Sequence, residues 1–159
     1  MKNLFLFFAL LILISCDQSD TVQSTTNVDR SVEFSVFDSQ NEDLLNPENP
    51  NSLNVSNIKL FYYINGEKQY FNDANLIESK GYRIYKHEKE YRIWVNLNDK
   101  ELGDKAITYI EWKANDVDTI EATFERTGQS FLKNKIWLNG SQVWERGNNT
   151  VDAYFILTK

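Results

Sequence analysis

The chain contains 159 residues, carries a formal net charge of -6, and has one Cys, one His and two Pro. This length suits a single domain, and the negative charge without a Lys/Arg-rich run excludes a basic nucleic-acid-binding protein. One Cys and one His exclude a disulfide scaffold, a multi-cysteine zinc site and most histidine-based metal centres, so we expect no metal and no cofactor.

The N-terminus has the order of features of a secretory signal. Lys2 supplies one positive charge, and an uncharged apolar run of 11 residues follows from Leu4 to Ile14. A membrane-spanning helix needs about 20 apolar residues. The run therefore predicts the apolar region of a signal peptide rather than an anchor helix.

The next residues, Leu13-Ile14-Ser15-Cys16, resemble the lipobox of the bacterial lipoprotein signal. The resemblance implies a signal peptide of residues 1–15, transfer of diacylglycerol to Cys16, cleavage before it and acylation of the new N-terminus. It also implies a protein of the cell envelope that meets a membrane through lipid on Cys16, with the outer membrane expected. Two or three acyl chains give stable attachment. The alternative is an ordinary signal peptide with a chance Cys.

The segment after Cys16 is polar as far as Arg30. It is rich in Ser and Thr, and only Val22 and Val28 are apolar. Such a segment buries too little apolar surface to order itself. We therefore predict a lipidated N-terminus with a flexible tether over residues 16–30 and a single domain over residues 31–159.

Alternating apolar residues predict a series of short strands in this domain. The predicted strands are residues 32–37, 58–64, 67–71, 82–85, 91–97, 107–112, 119–124, 131–138, 142–144 and 153–157. Asn65-Gly66 and Asn139-Gly140 predict tight hairpin turns, because both residue types tolerate positive φ. The segments 86–90 and 113–118 predict further turns, and a single helical turn is an alternative over residues 76–80.

Residues 38–57 form a long polar loop that contains both prolines, and Leu44-Leu45 is expected to pin it to the core. Nine or ten short strands without a convincing helix predict an all-β domain. The long early loop favours a two-layer antiparallel β-sandwich, Ig-like or transthyretin-like, because a strand must cross between sheets. A lipocalin-like barrel is the alternative.

Three short segments stand out in residues 41–47, 118–120 and 135–140. Together they resemble small secreted lipoproteins of the Bacteroidetes group. The resemblance implies a lipid-anchored address and a compact β domain, and it supplies no catalytic residues.

Each titratable cluster has a simple structural explanation. His87 would suit a general base, but it lies in a charged turn. Asp116 and Asp118, like the acids of residues 38–43, offer oxygen atoms to a cation such as Ca²⁺, but they also suit turns whose carboxylates bind backbone amides. Glu121 and Glu125 share a strand face, as do many solvated pairs. We therefore predict no catalytic residue.

Three aromatic residues are candidates for contact with a ligand. In the strand 91–97, Trp94 shares the more polar face with Arg92 and Asn96, and Phe61 and Tyr63 share the face of Lys59. Exposed aromatic rings with polar neighbours suit a sugar or a peptide. The alternative is that loops or the tether cover these faces.

These features together predict a non-enzymatic lipoprotein whose domain meets an envelope protein or a glycan. Two other functions remain open at this stage. One is a carrier of a small apolar ligand inside a barrel, which needs an interior cavity. The other is an enzyme or an inhibitor with an unrecognised site.

Overall fold

A computed structural model describes residues 27–100, 105–148 and 152–159. Within them the chain forms eleven strands, one 3-10 turn at Val55–Asn57 and no α-helix. The strands are β1 (Val28–Asp29), β2 (Ser31–Phe37), β3 (Lys59–Ile64), β4 (Glu67–Tyr70), β5 (Tyr82–His87), β6 (Glu90–Asn96), β7 (Ala106–Lys113), β8 (Asp116–Thr127), β9 (Ser130–Leu138), β10 (Ser141–Glu145) and β11 (Tyr154–Thr158). Among these residues no helix has the length and apolar character needed to cross a membrane.

The strands form two sheets, which we call the large and the small sheet. The large sheet has the order β1-β9-β8-β7-β3-β4, with β10 also paired to β9, and the small sheet has the order β11-β2-β6-β5. The prediction of an all-β sandwich is confirmed, and the barrel alternative is wrong because the sheets stay separate and pack face to face. Two pairings, β1 with β9 and β11 with β2, are parallel rather than antiparallel.

Every predicted strand is present, and the differences lie at the boundaries. β1 occupies Val28–Asp29, inside the range that the sequence assigned to the tether. The two turns predicted over 86–90 and 113–118 are tighter, because β5 and β6 are separated by two residues, as are β7 and β8. Residues 76–80 form turns and no helix. The signal peptide, Cys16 and the tether up to residue 26 lie outside the described residues.

The core lies between the inner faces of the two sheets. Phe34 of β2 stacks on Phe155 of β11 with ring centroids 4.7 Å apart, and its ring meets the edge of Trp112 of β7 at 6.3 Å. Trp112 and Phe34 are fully buried. Since β7 belongs to the large sheet and β2 to the small one, these rings join the two layers.

The long loop after β2 is held by backbone hydrogen bonds. Leu44 and Leu45 are buried, as expected, and the amide of Leu44 donates to the carbonyl of Val36 at 2.8 Å. The Asp38 carboxylate accepts from the amides of Gln40 and Glu42 at 2.9 and 2.8 Å. Asp43 likewise accepts from the amide of Leu45 at 2.9 Å, so both aspartates of this loop satisfy backbone amides in turns.

The two Asn-Gly hairpins adopt the predicted geometry. Asn65 and Gly66 have φ of 52° and 85°, and Asn139 and Gly140 have 49° and 83°. Both pairs thus have positive φ at both central residues, as a type I′ turn requires. These turns fix the register of β3 with β4 and of β9 with β10.

Gly81, which precedes β5, combines positive φ with close packing. Its φ is +78°, and a Cβ there would lie 2.7 Å from Cδ2 of Leu60 and 2.7 Å from Cδ1 of Phe71. We expect Gly81→Ala to lower the free energy of unfolding by about 2–4 kcal/mol, because strain adds to overpacking. Urea unfolding measures the loss.

Gly140→Ala is the matched control, because its φ is +83° and a Cβ there meets nothing within 4 Å. This variant should lose only about 1 kcal/mol, the cost of positive φ. Equal losses in the two variants would show that packing at Gly81 contributes nothing.

Candidate functional site

The three predicted aromatic residues lie on opposite sides of the sandwich. Phe61 and Tyr63 belong to β3 of the large sheet, and Trp94 belongs to β6 of the small sheet. Their neighbours in sequence, Tyr62, Ile93 and Val95, point into the core. All three candidates are therefore on outer faces, but they do not form one site.

Phe61 lies in a row of three aromatic residues across adjacent strands. It pairs with Tyr70 of the edge strand β4 and with Tyr109 of β7. The ring centroids of Phe61 and Tyr70 are 5.5 Å apart with an interplanar angle of 59°. Tyr70 is 51% exposed, so the row is open to solvent at the sheet edge.

A second row lies beside the first. Tyr63 pairs with Lys68, Ile107 pairs with Glu121, and Glu121 pairs with Trp137. The two rows form a surface that we call the aromatic face, which consists of Phe61, Tyr63, Tyr70, Ile107, Tyr109 and Trp137. A sheet face in water normally carries polar side chains, so this group of apolar residues makes the aromatic face a candidate interaction surface.

Charged side chains lie among the rings of the aromatic face. The Nζ of Lys68 is 4.3 Å from the centroid of Phe61 and 5.0 Å from that of Tyr109. The Nζ of Lys105 is 4.0 Å from the Trp137 ring and 3.2 Å from a carboxylate oxygen of Glu121. The surface therefore offers ring faces together with hydrogen-bond donors and acceptors.

Sequence reasoning missed Tyr70, Tyr109 and Trp137. Alternation within β7 places Tyr109 on the face opposite to the buried Ile110, and this signal was present in the sequence. The strand order could not be read from the sequence, because β3 pairs with β7, which is more than 40 residues away. Only this pairing brings Tyr109 beside Phe61.

Trp94 stands on the outer face of the small sheet between Arg83 and Glu33, its partners on the neighbouring strands. The Arg83 guanidinium lies 5.1 Å from the indole and 3.0 Å from a carboxylate oxygen of Glu78. A surface cleft of about 470 Å³ adjoins the indole. It is lined by Val28, Arg30, Ser31, Asn75, Leu76, Ile77, Glu78, Trp94 and Asn96.

The rest of the small sheet's outer face is a network of paired groups. The Arg92 guanidinium lies 4.0 Å from the Tyr154 ring and its Nε donates to Glu90 at 2.7 Å. Burial first, and then a hydrogen bond to Glu33 and its charge, raise the pKa of Tyr85 to about 12. Burial also raises the pKa of Tyr154. The hydrogen bond with Ser35 lowers this pKa, and the Glu90 carboxylate raises it further. Both phenols therefore stay protonated at neutral pH.

The candidate carboxylates have protein partners. The Lys159 ammonium lies 2.5 Å from Asp116 and 2.9 Å from Asp118. Asp118 also accepts from the Trp112 indole and from the Asn139 amide, each at 2.7 Å. The position that a cation would occupy between the two carboxylates thus holds a lysine. Over the described ranges, no group of three His, Cys, Asp or Glu side chains is arranged to hold a metal ion.

His87 and the glutamate pair occupy ordinary positions. His87 ends β5, pairs with Glu90, and its ring meets the edge of Tyr85 at 6.5 Å. Glu121 binds Lys105, while Glu125 accepts a hydrogen bond from Thr127 at 3.4 Å. The aromatic face is therefore the better candidate for a functional surface. In comparisons with known proteins, no family model, no curated protein and no solved structure matched the chain.

The contact between Lys159 and Asp118 predicts a pH-dependent contribution to stability. Burial of Asp118 opposes ionisation, but hydrogen bonds from Lys159, Asn139 and Trp112 outweigh it and lower the pKa below the ordinary 3.8. Because the pKa is lower in the folded state, the stabilisation is complete above the unfolded value and is lost as the pH falls through the folded value.

We therefore expect Lys159→Met to lower the free energy of unfolding by about 2 kcal/mol at pH 7, since it leaves a buried carboxylate without its cation. The difference from the unmutated chain should shrink as the pH falls below the unfolded pKa of Asp118. Lys59→Met, which removes an exposed pair with Glu111, should cost less than about 1 kcal/mol. A loss for Lys159→Met that is the same at neutral and acid pH would contradict the role of Asp118.

Proposed function

We propose that this chain is a lipid-anchored envelope protein whose β-sandwich binds a glycan on the aromatic face and has no catalytic activity. The observation that carries the proposal is the pair of aromatic rows across β4, β3, β7 and β9. The lipid anchor is inferred from the sequence around Cys16, and the sandwich supplies the rigid support for the rings.

The chemistry of the aromatic face favours a glycan. A sugar ring has a face of C–H groups, which packs on an aromatic ring, and an edge of hydroxyl groups, which needs donors and acceptors. In the proposed complex the sugar displaces the Lys68 ammonium from the ring faces of Phe61 and Tyr109, and the displaced ammonium donates to the sugar hydroxyl groups. Glu121 supplies acceptor oxygen atoms next to Trp137.

The tether is short enough to keep the domain near its membrane. Asn27 is the first described residue, and it is 11 residues after Cys16. A fully extended chain of that length spans at most about 40 Å. A glycan bound by this domain therefore lies within the envelope, close to the membrane that carries the lipid.

The proposal of a binding protein rather than an enzyme rests on the partners of the candidate acidic residues within the protein. Asp116 and Asp118 bind Lys159, and Asp38 binds backbone amides. These carboxylates stabilise the fold through contacts that a catalytic acid or base would have to give up.

For the anchor, we expect Cys16→Ala to yield a protein without acyl chains that is released from membranes, because the thiol is the acylation point. Membrane fractionation and intact-mass measurement test this. Ser19→Ala, three residues further along, should remain lipidated and membrane-bound. Acylated, membrane-bound protein from Cys16→Ala would overturn the anchor.

For the glycan, we expect the protein to sediment with at least one of the insoluble polymers peptidoglycan, chitin, cellulose and starch. Phe61→Ala and Tyr70→Ala should each weaken binding about tenfold, since each removes a stacking ring. Ile156→Ala is the matched control, because Ile156 is 56% exposed on the small sheet. Urea unfolding checks that the variants remain folded.

Two results would reject the glycan assignment. One is failure to sediment with any of the four polymers. The other is an envelope target of the aromatic face that is destroyed by protease and resists glycosidases, which would make the partner a protein.

A further inference from the structure

Four apolar side chains are grouped at the end of the sandwich where the described chain begins. Ile77 is 98% exposed, Val28 is 51% exposed and Leu76 is 38% exposed. All three line the cleft beside Trp94. We call Val28, Leu76, Ile77 and Trp94 the apolar edge, since a fully exposed isoleucine beside three further apolar groups forms an interaction surface.

Backbone hydrogen bonds present Ile77 to solvent. The Asp73 amide donates to the Ser79 carbonyl at 2.8 Å, and the Leu76 amide donates to the Asp73 carbonyl at 3.1 Å. The Gly81 amide donates to the Glu78 carbonyl at 2.8 Å. The turns of this segment are therefore closed by hydrogen bonds, and the exposure of Ile77 follows from its place in them.

The apolar edge lies at the origin of the tether. Val28 is both a residue of β1 and part of the cleft wall. The chain between Cys16 and Asn27 extends at most about 40 Å from this point. A lipid on Cys16 would therefore keep its membrane within reach of the apolar edge, where the described chain begins.

Charge on the border of the cleft is largely neutralised within the protein. Arg30 forms an ion pair with Asp99, and Arg83 forms one with Glu78. The net charge of -6 gives no general attraction to anionic lipid. Contact with a bilayer at this end is thus governed by apolar surface.

We propose that the apolar edge rests in the headgroup–acyl boundary of the membrane that holds the lipid on Cys16. Ile77 and Leu76 insert, and the Trp94 indole lies at the interface, where tryptophan is favoured. The proposal rests on the proposed lipid anchor. Trp94 lies on the outer face of the small sheet, so the aromatic face, on the outer side of the large sheet, is on the side of the sandwich opposite to Trp94.

The test uses the mature chain, residues 16–159, coupled through the Cys16 thiol to a maleimide lipid in phosphatidylcholine vesicles with brominated acyl chains. This coupling supplies the anchor whether or not the cell acylates Cys16. We expect bromine to quench tryptophan fluorescence, and Trp94→Phe to abolish the quenching. Ile77→Asp should lower the equilibrium constant for contact between the apolar edge and the bilayer about tenfold, the effect of removing one buried aliphatic side chain. The quenching should fall accordingly.

Val117→Asp is the matched control. Val117 is 40% exposed but lies at the other end of the sandwich, beside Asp116, which binds Lys159. The Lys159 amide donates to the carbonyl of Phe37, the last residue of β2. Ser31, the first residue of β2, lines the cleft, so Val117 and the cleft lie at opposite ends of this strand. This variant should be quenched like the unmutated chain.

Three outcomes would overturn the proposal: no quenching, equal quenching in Ile77→Asp, or a dimer in solution that Ile77→Asp dissociates. The last would make a second copy of the chain the occupant of the apolar edge. Absence of acyl chains on Cys16 in cells would instead reject the proposed anchor and leave the quenching result interpretable, so the two failures are distinguishable.

Discussion

The buried indole of Trp112 is the contact on which the two layers depend. Its ring meets Phe34 of the small sheet, its N–H donates to Asp118 at 2.7 Å, and the Lys159 ammonium lies 5.3 Å from its centroid. A buried N–H needs an acceptor, and the buried carboxylate that accepts from it needs a cation, which Lys159 provides. One side chain thus joins both sheets and the C-terminal strand β11.

The side chains that point into the core determine which side chains lie on the outer faces of the two sheets. Side chains of a strand alternate between faces, so burial of Leu60, Tyr62 and Ile110 leaves Phe61, Tyr63 and Tyr109 on the outer face. Burial of Ile93 and Val95 leaves Trp94 outside in the same way. The two outer faces belong to different sheets, and so the sandwich separates the aromatic face from Trp94.

Local pattern and non-local pairing explain which predictions succeeded. Alternation and the Asn-Gly turns identified the strands and hairpins, because both signals act over a few residues. Tyr70 and Tyr109 escaped notice, since their proximity to Phe61 follows from strand order. The contact of Lys159 with Asp116 spans 43 residues, so the Asp-x-Asp pattern alone could not distinguish a cation site from a lysine contact.

The parallel pairings of β1 with β9 and of β11 with β2 tie the first and last described strands to different sheets. β1 pairs with β9 of the large sheet, and a single residue, Arg30, separates it from β2 of the small sheet. Lys133 of β9 binds Asp29 beside this crossing, and the Arg30 carbonyl accepts from the Leu97 amide, which follows β6 of the small sheet. β1 therefore begins at the apolar edge, while Lys159 binds Asp116 and Asp118 at the opposite end of the sandwich. The proposed membrane contact at the apolar edge therefore leaves the outer face of the large sheet, which carries Phe61 and Tyr109, free for the proposed glycan.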